Sequence, residues 1–391
     1  MHVERWADRW GMECGVRKCG IMLVPTTHPT DSIATLTELG PWQLHGQDVP
    51  IVDSYRYLGY EFTNDLTPDR HMELRREGAR KAFAACMSFL QNRSIPLHNR
   101  AVAYKVMVLP ILTWGCELLP ANKGALGPMS AVQNKQLRAL AGLRETSRQG
   151  CPWAMGIELD IPPFYVRAVT SRLRLYIKAP VLSTWLRVLV ANPCKLPSRG
   201  KRPWTTLSRS LMVKKESIPR DHNVHFLEWL REWEWRQFTS TSGISRALAV
   251  YKERGYACGR KYLLDSIFNL DQATGQLCLF KMRTGCFPSA QRLAQMRLIS
   301  PEYLRICPFC QLGEPEDVDH LLIRCEFFAA QRARFFFPLA YLNLDQRIAA
   351  SVLLGGEHVG DDGTVGPVYH DGNLVTLVTT FYSQFLRDDS K

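Results

Sequence analysis

The stretch "CPFCQLGEPEDVDHLLIRC" (307–325) constrains the fold more than any hydrophobic pattern in the chain. It spaces four metal-binding side chains as Cys307-x2-Cys310-x9-His320-x4-Cys325. A Cys-x-x-Cys turn offers two thiolates from one knuckle, and a tetrahedral ion needs two more N or S ligands. Pro308 stiffens the knuckle, and "QLGEPED" is rich enough in turn residues to bring the chain back. His320 and Cys325 are five apart, so they do not share a face of a regular α-helix; a local distortion or a helix end is required. Three thiolates and an imidazole favour zinc over magnesium or calcium. A full set of four protein ligands leaves no open position, so the expected zinc is structural. The competing reading is three buried cysteines beside an incidental histidine.

Twelve cysteines are present in all. "MHVERWADRW" carries charges where a secretory leader would be apolar. No run approaches the ~18 apolar residues of a membrane span. These features point to an intracellular protein, cytoplasmic and/or nuclear, with no membrane partner and no disulfide framework. The remaining cysteines read as small buried hydrophobes. The chain opens directly into amphipathic sequence, as though something preceded it.

The net charge is +12 over 391 residues, and its distribution is uneven. Residues 67–150 hold 13 Lys and Arg against 5 Asp and Glu, and 151–265 hold 20 against 9, whereas 1–66 and 341–391 are each net −4. A basic middle fits contact with a polyanion. It fits a solvated, Arg-rich helical surface equally well.

The pattern predicts an α+β chain, mostly α. Residues 3–11 have Val3, Trp6 and Trp10 at helical spacing, with Gly11 as a stop. "IMLV" (21–24) reads as a buried strand stopped by Pro25, and residues 42–63 as a hairpin-like pair of strands. From Thr67, an expected N-cap, a helical stripe runs through Met72, Arg76, Ala79, Phe83, Cys86/Met87 and Leu90. A second helix starts near Pro96 and breaks at Pro110. A third spans 128–141, and the three resemble a small bundle. Further helices are expected at 163–178, 180–191, 224–238, 244–254, 275–283 and 288–297, and one after the cysteine motif. Residues 192–210 read as a basic linker. Trp229 and Trp233 are i,i+4 and read as core rather than as stacking platforms. The resulting division is 1–66, 67–150, 151–270, 271–340 and an acidic tail, 341–391.

No phosphate loop, zinc-protease motif or nucleophile elbow is present. The acidic pairs Asp361–Asp362 and Asp388–Asp389 lie in a Gly-rich loop and near the end of the chain, and read as solvated charge. No catalytic residue is assigned.

The order of several segments resembles the C-terminal part of a non-LTR (LINE-type) retrotransposon reverse transcriptase. "RWADRWGMECGVRKCGIMLV" is similar to the segment after the catalytic Tyr-x-Asp-Asp strand, with Trp10, Gly11, Lys18 and Met22 in place; Gly15 stands where the family usually has Asn. "YRYLGYEF" resembles the primer-grip hairpin (Tyr57, Leu58, Gly59). "RAVAYKVMVLPILTWGCELLP" resembles the thumb, with Lys105, Pro110, Trp114–Gly115 and Glu117, and "VQNKQLRALAGL" the helix that follows it. "LFKMRTGCFPSAQRL" and the cysteine motif resemble the family's C-terminal Arg-Thr-Gly segment and knuckle. Together these cover most of 1–150 and about 275–335. Residues 151–270 match only in being helical and basic. Fingers, the strands with the metal-binding aspartates and any endonuclease domain have no counterpart.

The resemblance implies a palm remnant (1–66), a helical thumb (67–150), a basic helical connection (151–270) and a zinc-knuckle module (271–340). It implies that Lys18 lies near the outgoing pyrophosphate, that Tyr57, Leu58 and Gly59 position a primer end, and that Arg76, Arg80 and Lys105, with Arg75 and Lys81, meet template–primer phosphates in part. A plain core hairpin and exposed basic side chains are the competing readings of these positions. The implied partners are RNA and/or DNA, with association with other retroelement proteins possible. Zinc is the implied structural cofactor; magnesium is expected only for an intact parent polymerase. The expectation is thus a retained nucleic-acid-binding part of an RNA-directed DNA polymerase, inactive alone. The alternatives are a zinc-stabilised helical protein-interaction module and a degenerate reading frame.

Overall fold

The computed structural model describes residues 2–24, 38, 40–143, 150–192, 204–213, 251, 261–264, 273–310, 312–336, 353–354, 357–359 and 365–367. The helices expected at 224–238 and, but for Tyr251, at 244–254 lie outside this set, as do most of the basic linker and both acidic pairs.

The described residues are mostly helical, with short antiparallel hairpins. Helix α1 (His2–Arg9) ends before Gly11, which takes φ +61°. The first hairpin joins β1 (Gln43–Leu44) to β2 (Gln47–Asp48), and the second joins β3 (Ser54–Tyr57) to β4 (Tyr60–Thr63). Helix α2 (Asp69–Ala85) follows, then α3 (Met87–Leu90), α4 (Leu97–Met107), α5 (Leu109–Thr113) and α6 (Gly127–Leu140). Next come α7 (Pro152–Glu158), α8 (Phe164–Lys178), α9 (Trp185–Ala191), α10 (Trp204–Val213) and α11 (Lys261–Leu264). Helices α12 (Ala273–Arg283), α13 (Ala290–Gln295) and α14 (Ala329–Phe336) flank the cysteine motif, and β5 (Glu357–Val359) pairs with β6 (Val365–Pro367).

Several expectations shift by local chemistry. The strand at 21–24 reduces to a single bridge between Ile21 and Ile51. Thr67 does not head α2 with its hydroxyl, which donates to Asp65 at 3.0 Å; the helix begins at Asp69. The break assigned to Pro110 falls earlier, at Val108, because proline is tolerated in the first turn of the next helix. Helix 180–191 shortens to α9, behind a tight turn at Ala179–Val181. On α1 Ala7 is buried, whereas Val3 and Trp6, and Trp10 just after the helix, are exposed.

The chain forms two compact units. The first comprises 1–79, 111–129 and 168–218; the second comprises 80–110, 130–167 and 219–391. In the first, the buried guanidinium of Arg172 donates to Ser208 Oγ (3.0 Å) and to the carbonyls of Leu119 and Trp204, and stacks 5.1 Å from the Trp204 ring. Trp204 Nε1 in turn donates to Glu117 O at 2.8 Å. These bonds fasten α8 and α10 to the segment after α5.

The core of the second unit packs the buried Phe83, Leu90, Leu97 and Tyr104 with Leu137 and Leu140. Phe83 meets Tyr104 edge-on at 6.3 Å, and Tyr104 donates to Gln136 Oε1 at 2.9 Å. Arg100 is fully buried and donates to the carbonyls of Ile95 (3.0 Å) and Leu140 (2.8 Å). Burial pushes its guanidinium down to about 10.

A second buried charge organises the same unit. Glu158 and Arg283 pair at 2.8 Å with both side chains fully buried. Tyr251 (2.6 Å) and Tyr262 (2.8 Å) donate their hydroxyls to the two carboxylate oxygens, and Arg283 also donates to Leu354 O. Burial, and then Glu158, raise both tyrosines well above the ordinary phenol value. Both carboxylate oxygens and two of the guanidinium nitrogens are thereby matched, the kind of satisfaction a buried ion pair requires.

Among the described residues, no single helix is long and apolar enough to cross a membrane. The described cysteines form no disulfide.

Candidate metal centre and the basic hairpin

The knuckle is built by a tight turn. After the short turn Pro301–Leu304, Cys307 enters the interior, and the N–H of Phe309 donates to its sulfur at 3.4 Å. Gly313 takes φ +73° in the excursion that follows. The chain returns as a wide turn over His320–Arg324, in which the N–H of Cys325 donates to His320 O at 2.8 Å. This five-residue bond is the distortion that the His320–Cys325 spacing demands. A turn closed from i to i+5 brings both side chains to one side; such turns are rare and often mark functional sites.

The ligand atoms of Cys307, Cys310, His320 and Cys325 all lie within 4.8 Å of one another. Cys310 Sγ is 3.2 Å from His320 Nε2, and Cys307 Sγ is 3.9 Å from Cys325 Sγ. A tetrahedron with Zn–S near 2.3 Å and Zn–N near 2.0 Å has edges of roughly 3.5–3.8 Å. The separation of Cys307 and Cys325 is far beyond a disulfide bond of ~2.05 Å. The cluster can therefore hold a metal ion such as zinc.

An outer layer orients the imidazole. Glu314 Oε2 lies 3.3 Å from His320 Nδ1, leaving Nε2 toward the sulfurs. Arg324 Nε donates to the same oxygen at 2.9 Å, and Asp317 Oδ1 accepts from His320 N at 2.7 Å. Hydrogen bonds from Arg324, then His320, hold the Glu314 carboxyl below its usual range. Carboxylate support of a ligating histidine is common in metal sites. Without a metal, burial and the neighbouring Cys307 push the Cys325 thiol up to about 12. Burial likewise raises Cys307. Cys310 moves the other way: desolvation pushes it up, but the N–H of Leu312 and the adjacent thiols outweigh that and lower it. The four clustered side chains are those the sequence spacing singles out; Glu314, an acid in a turn six residues before His320, is one it does not.

The hairpin residues come together in the first unit. Leu58 and Gly59 form a two-residue turn with φ +48° and +81°, both in the left-handed region that matches hairpin twist. Tyr57 and Leu58 are exposed at the tip, so this end is not core. The Trp114 indole packs on the turn: a Cβ added to Gly59 would lie 3.0 Å from Nε1. Gly115, at φ +73°, lets the chain pass Tyr60, where an added Cβ would meet the ring at 2.7 Å. His71 stacks on Tyr60 at 3.9 Å and lies 3.0 Å from Trp114 O. Tyr55 donates its hydroxyl to Lys18 O, so Lys18 sits beside β3 with its side chain exposed.

The remaining basic residues are spread more widely. Arg76 is half-buried on α2 with Nε enclosed. Arg80, one turn on, is exposed and belongs to the second unit. Lys105, also in the second unit, pairs with Asp160 at 3.5 Å.

Comparison of the chain with protein-family models, with curated proteins and with solved structures finds no match.

Proposed function

We propose that this chain is a nucleic-acid-binding part of a non-LTR-type RNA-directed DNA polymerase, in which a structural zinc ion organises the C-terminal module. The observation that carries the reading is the contact of the Tyr57–Leu58–Gly59 turn with Trp114–Gly115. Two segments distant in sequence, one resembling the primer-grip element and the other the thumb element, pack into one exposed corner. Tyr55 of the same hairpin bonds the Lys18 carbonyl, and Arg56 and Arg75 act electrostatically on His71, which bonds Trp114 O. Tyr57 and Leu58 present an aromatic and an apolar side chain to solvent there.

In this role the chain's own residues bind rather than react. The basic side chains meet phosphates, and the hairpin tip supports a strand end. The four-ligand shell leaves no open coordination position, so its zinc supplies folding energy to the knuckle. Polymerisation needs paired carboxylates for two magnesium ions. The chain alone is therefore expected to incorporate no nucleotide with magnesium.

A second reading, a zinc-stabilised protein-interaction module, is favoured by one surface of the first unit. Val181, Trp185, Val188 and Leu189 are all exposed on and before α9. Retention on immobilised RNA separates the two. A polynucleotide binder is held at low salt and released as salt rises; passage through the RNA resin at low salt would favour the interaction module.

A further inference from the structure

Behind the knuckle, within the second unit, lies a cavity of about 430 Å³. Its wall is mostly apolar and includes Phe287, Phe309 and Leu321, with the cations Arg93 and Lys281. Neither cation has a hydrogen-bonding or ion-pairing partner among the described residues. Lys281 is half-buried, and its ammonium is lowered first by burial, with Arg93 and Arg100 adding repulsion. The nearby thiols do not supply negative charge, because burial pushes Cys278 up to about 12 and also raises Cys286. Arg100 Nη2 is buried without a partner. The one carboxylate lining the cavity, Glu316, accepts from Ala290 N at 2.8 Å at the start of α13. Two cations thus line the cavity with a single carboxylate, which is engaged at the start of α13.

Aromatic rings adjoin it. Phe309 lines the cavity and is 40% exposed, and its ring lies 5.4 Å from those of Phe327 and Phe328. Phe327 is 58% exposed. A pair of neighbouring cations next to solvent-facing rings suits an unpaired nucleotide, whose base is free to stack. Duplex bases are occupied with one another and cannot use such a platform.

We propose that this cavity is a subsite for single-stranded nucleic acid, with a phosphate between Lys281 and Arg93 and the adjoining base against Phe309 and Phe327. The inference rests on the nucleic-acid-binding reading above and names the ligand form. Because Phe309 sits inside the Cys-x-x-Cys turn, the subsite depends on the metal-bound knuckle.

The test uses the full zinc-loaded chain and a fluorescein-labelled oligothymidylate of about 12 nucleotides, within the site size of common single-strand binders. A duplex of equal length is the comparison, and anisotropy gives both affinities. K281Q, R93Q and F327A are each expected to weaken single-strand binding about tenfold, the scale of one stacked base, with duplex binding within about twofold. K281R, which keeps the charge, is expected to bind like the parent, and K135Q, on α6, to change little. Zinc content and circular dichroism confirm that each variant is folded. Should K281Q and F327A bind oligothymidylate as K135Q does, the subsite is refuted while nucleic-acid binding stands. Absence of binding by the parent to either form would instead overturn the broader reading, and this one with it.

Discussion

The backbone N–H of Cys325 donates to the carbonyl of His320 at 2.8 Å, across five residues rather than four. That bond places the last two of the four clustered ligands on one side of their turn. The turn thus gathers the side chains that a metal ion such as zinc would need. Chelation, or Cys325→Ser, should remove about one zinc per chain, measured by elemental mass spectrometry, and lower the melting temperature. Structural zinc in finger peptides contributes roughly 10–16 kcal/mol of folding free energy at neutral pH. Cys14→Ser, away from the cluster, should leave zinc content unchanged. Glu314→Ala should keep the ion but weaken its affinity about 10–100-fold in a competition titration, since only the support of His320 is lost.

The Glu158–Arg283 pair makes a second prediction. Glu158→Ala strands a fully buried guanidinium and should cost about 3–5 kcal/mol in urea unfolding. Replacing both residues by apolar ones of similar volume should recover much of that loss. Equal losses in the single and double variants would show that Tyr251, Tyr262 and Leu354, rather than the charge pair, dominate the network.

His71 gives a pH prediction for the first unit. Its Nδ1 accepts from Glu61 N at 3.3 Å, and its Nε2 donates to Trp114 O at 3.0 Å, a pattern only the neutral ring satisfies. Burial, the largest effect, lowers its value; the Trp114 bond and Glu61 oppose this, and Arg75 and Arg56 reinforce it. The unfolded chain thus binds the proton first as pH falls. The contribution should be full above about pH 6.5 and decline below it, towards the lower folded value. Trp fluorescence during urea unfolding at several pH values, compared between the parent and His71→Gln, should show a steeper loss below that pH in the parent than in the variant. His98, also lowered by burial, remains in both.

How far these features were legible in the sequence depended on range. The knuckle was legible because ligand chemistry and spacing are local, and the five-residue gap itself called for a distorted turn. The Leu58–Gly59 turn was legible from a glycine flanked by alternating aromatics. Glu158 was not: its partners lie 93, 104 and 125 residues away, and nothing local in "PWAMGIELD" distinguishes a paired carboxylate from a solvated one. The buried strand at 21–24 was misread because an apolar run fixes neither burial nor pairing: Ile21, Met22 and Leu23 are half-buried, Val24 is exposed, and only Ile21 bridges to a neighbour.

The most direct test of the central claim is equilibrium binding of labelled single-stranded RNA and DNA to the zinc-loaded chain between about 50 and 200 mM salt, the range over which phosphate contacts are released. The account predicts measurable affinity at the low end and a linear fall of log affinity with log salt, with several phosphate contacts in the slope. Absence of binding at low salt, or binding indifferent to salt, would contradict it.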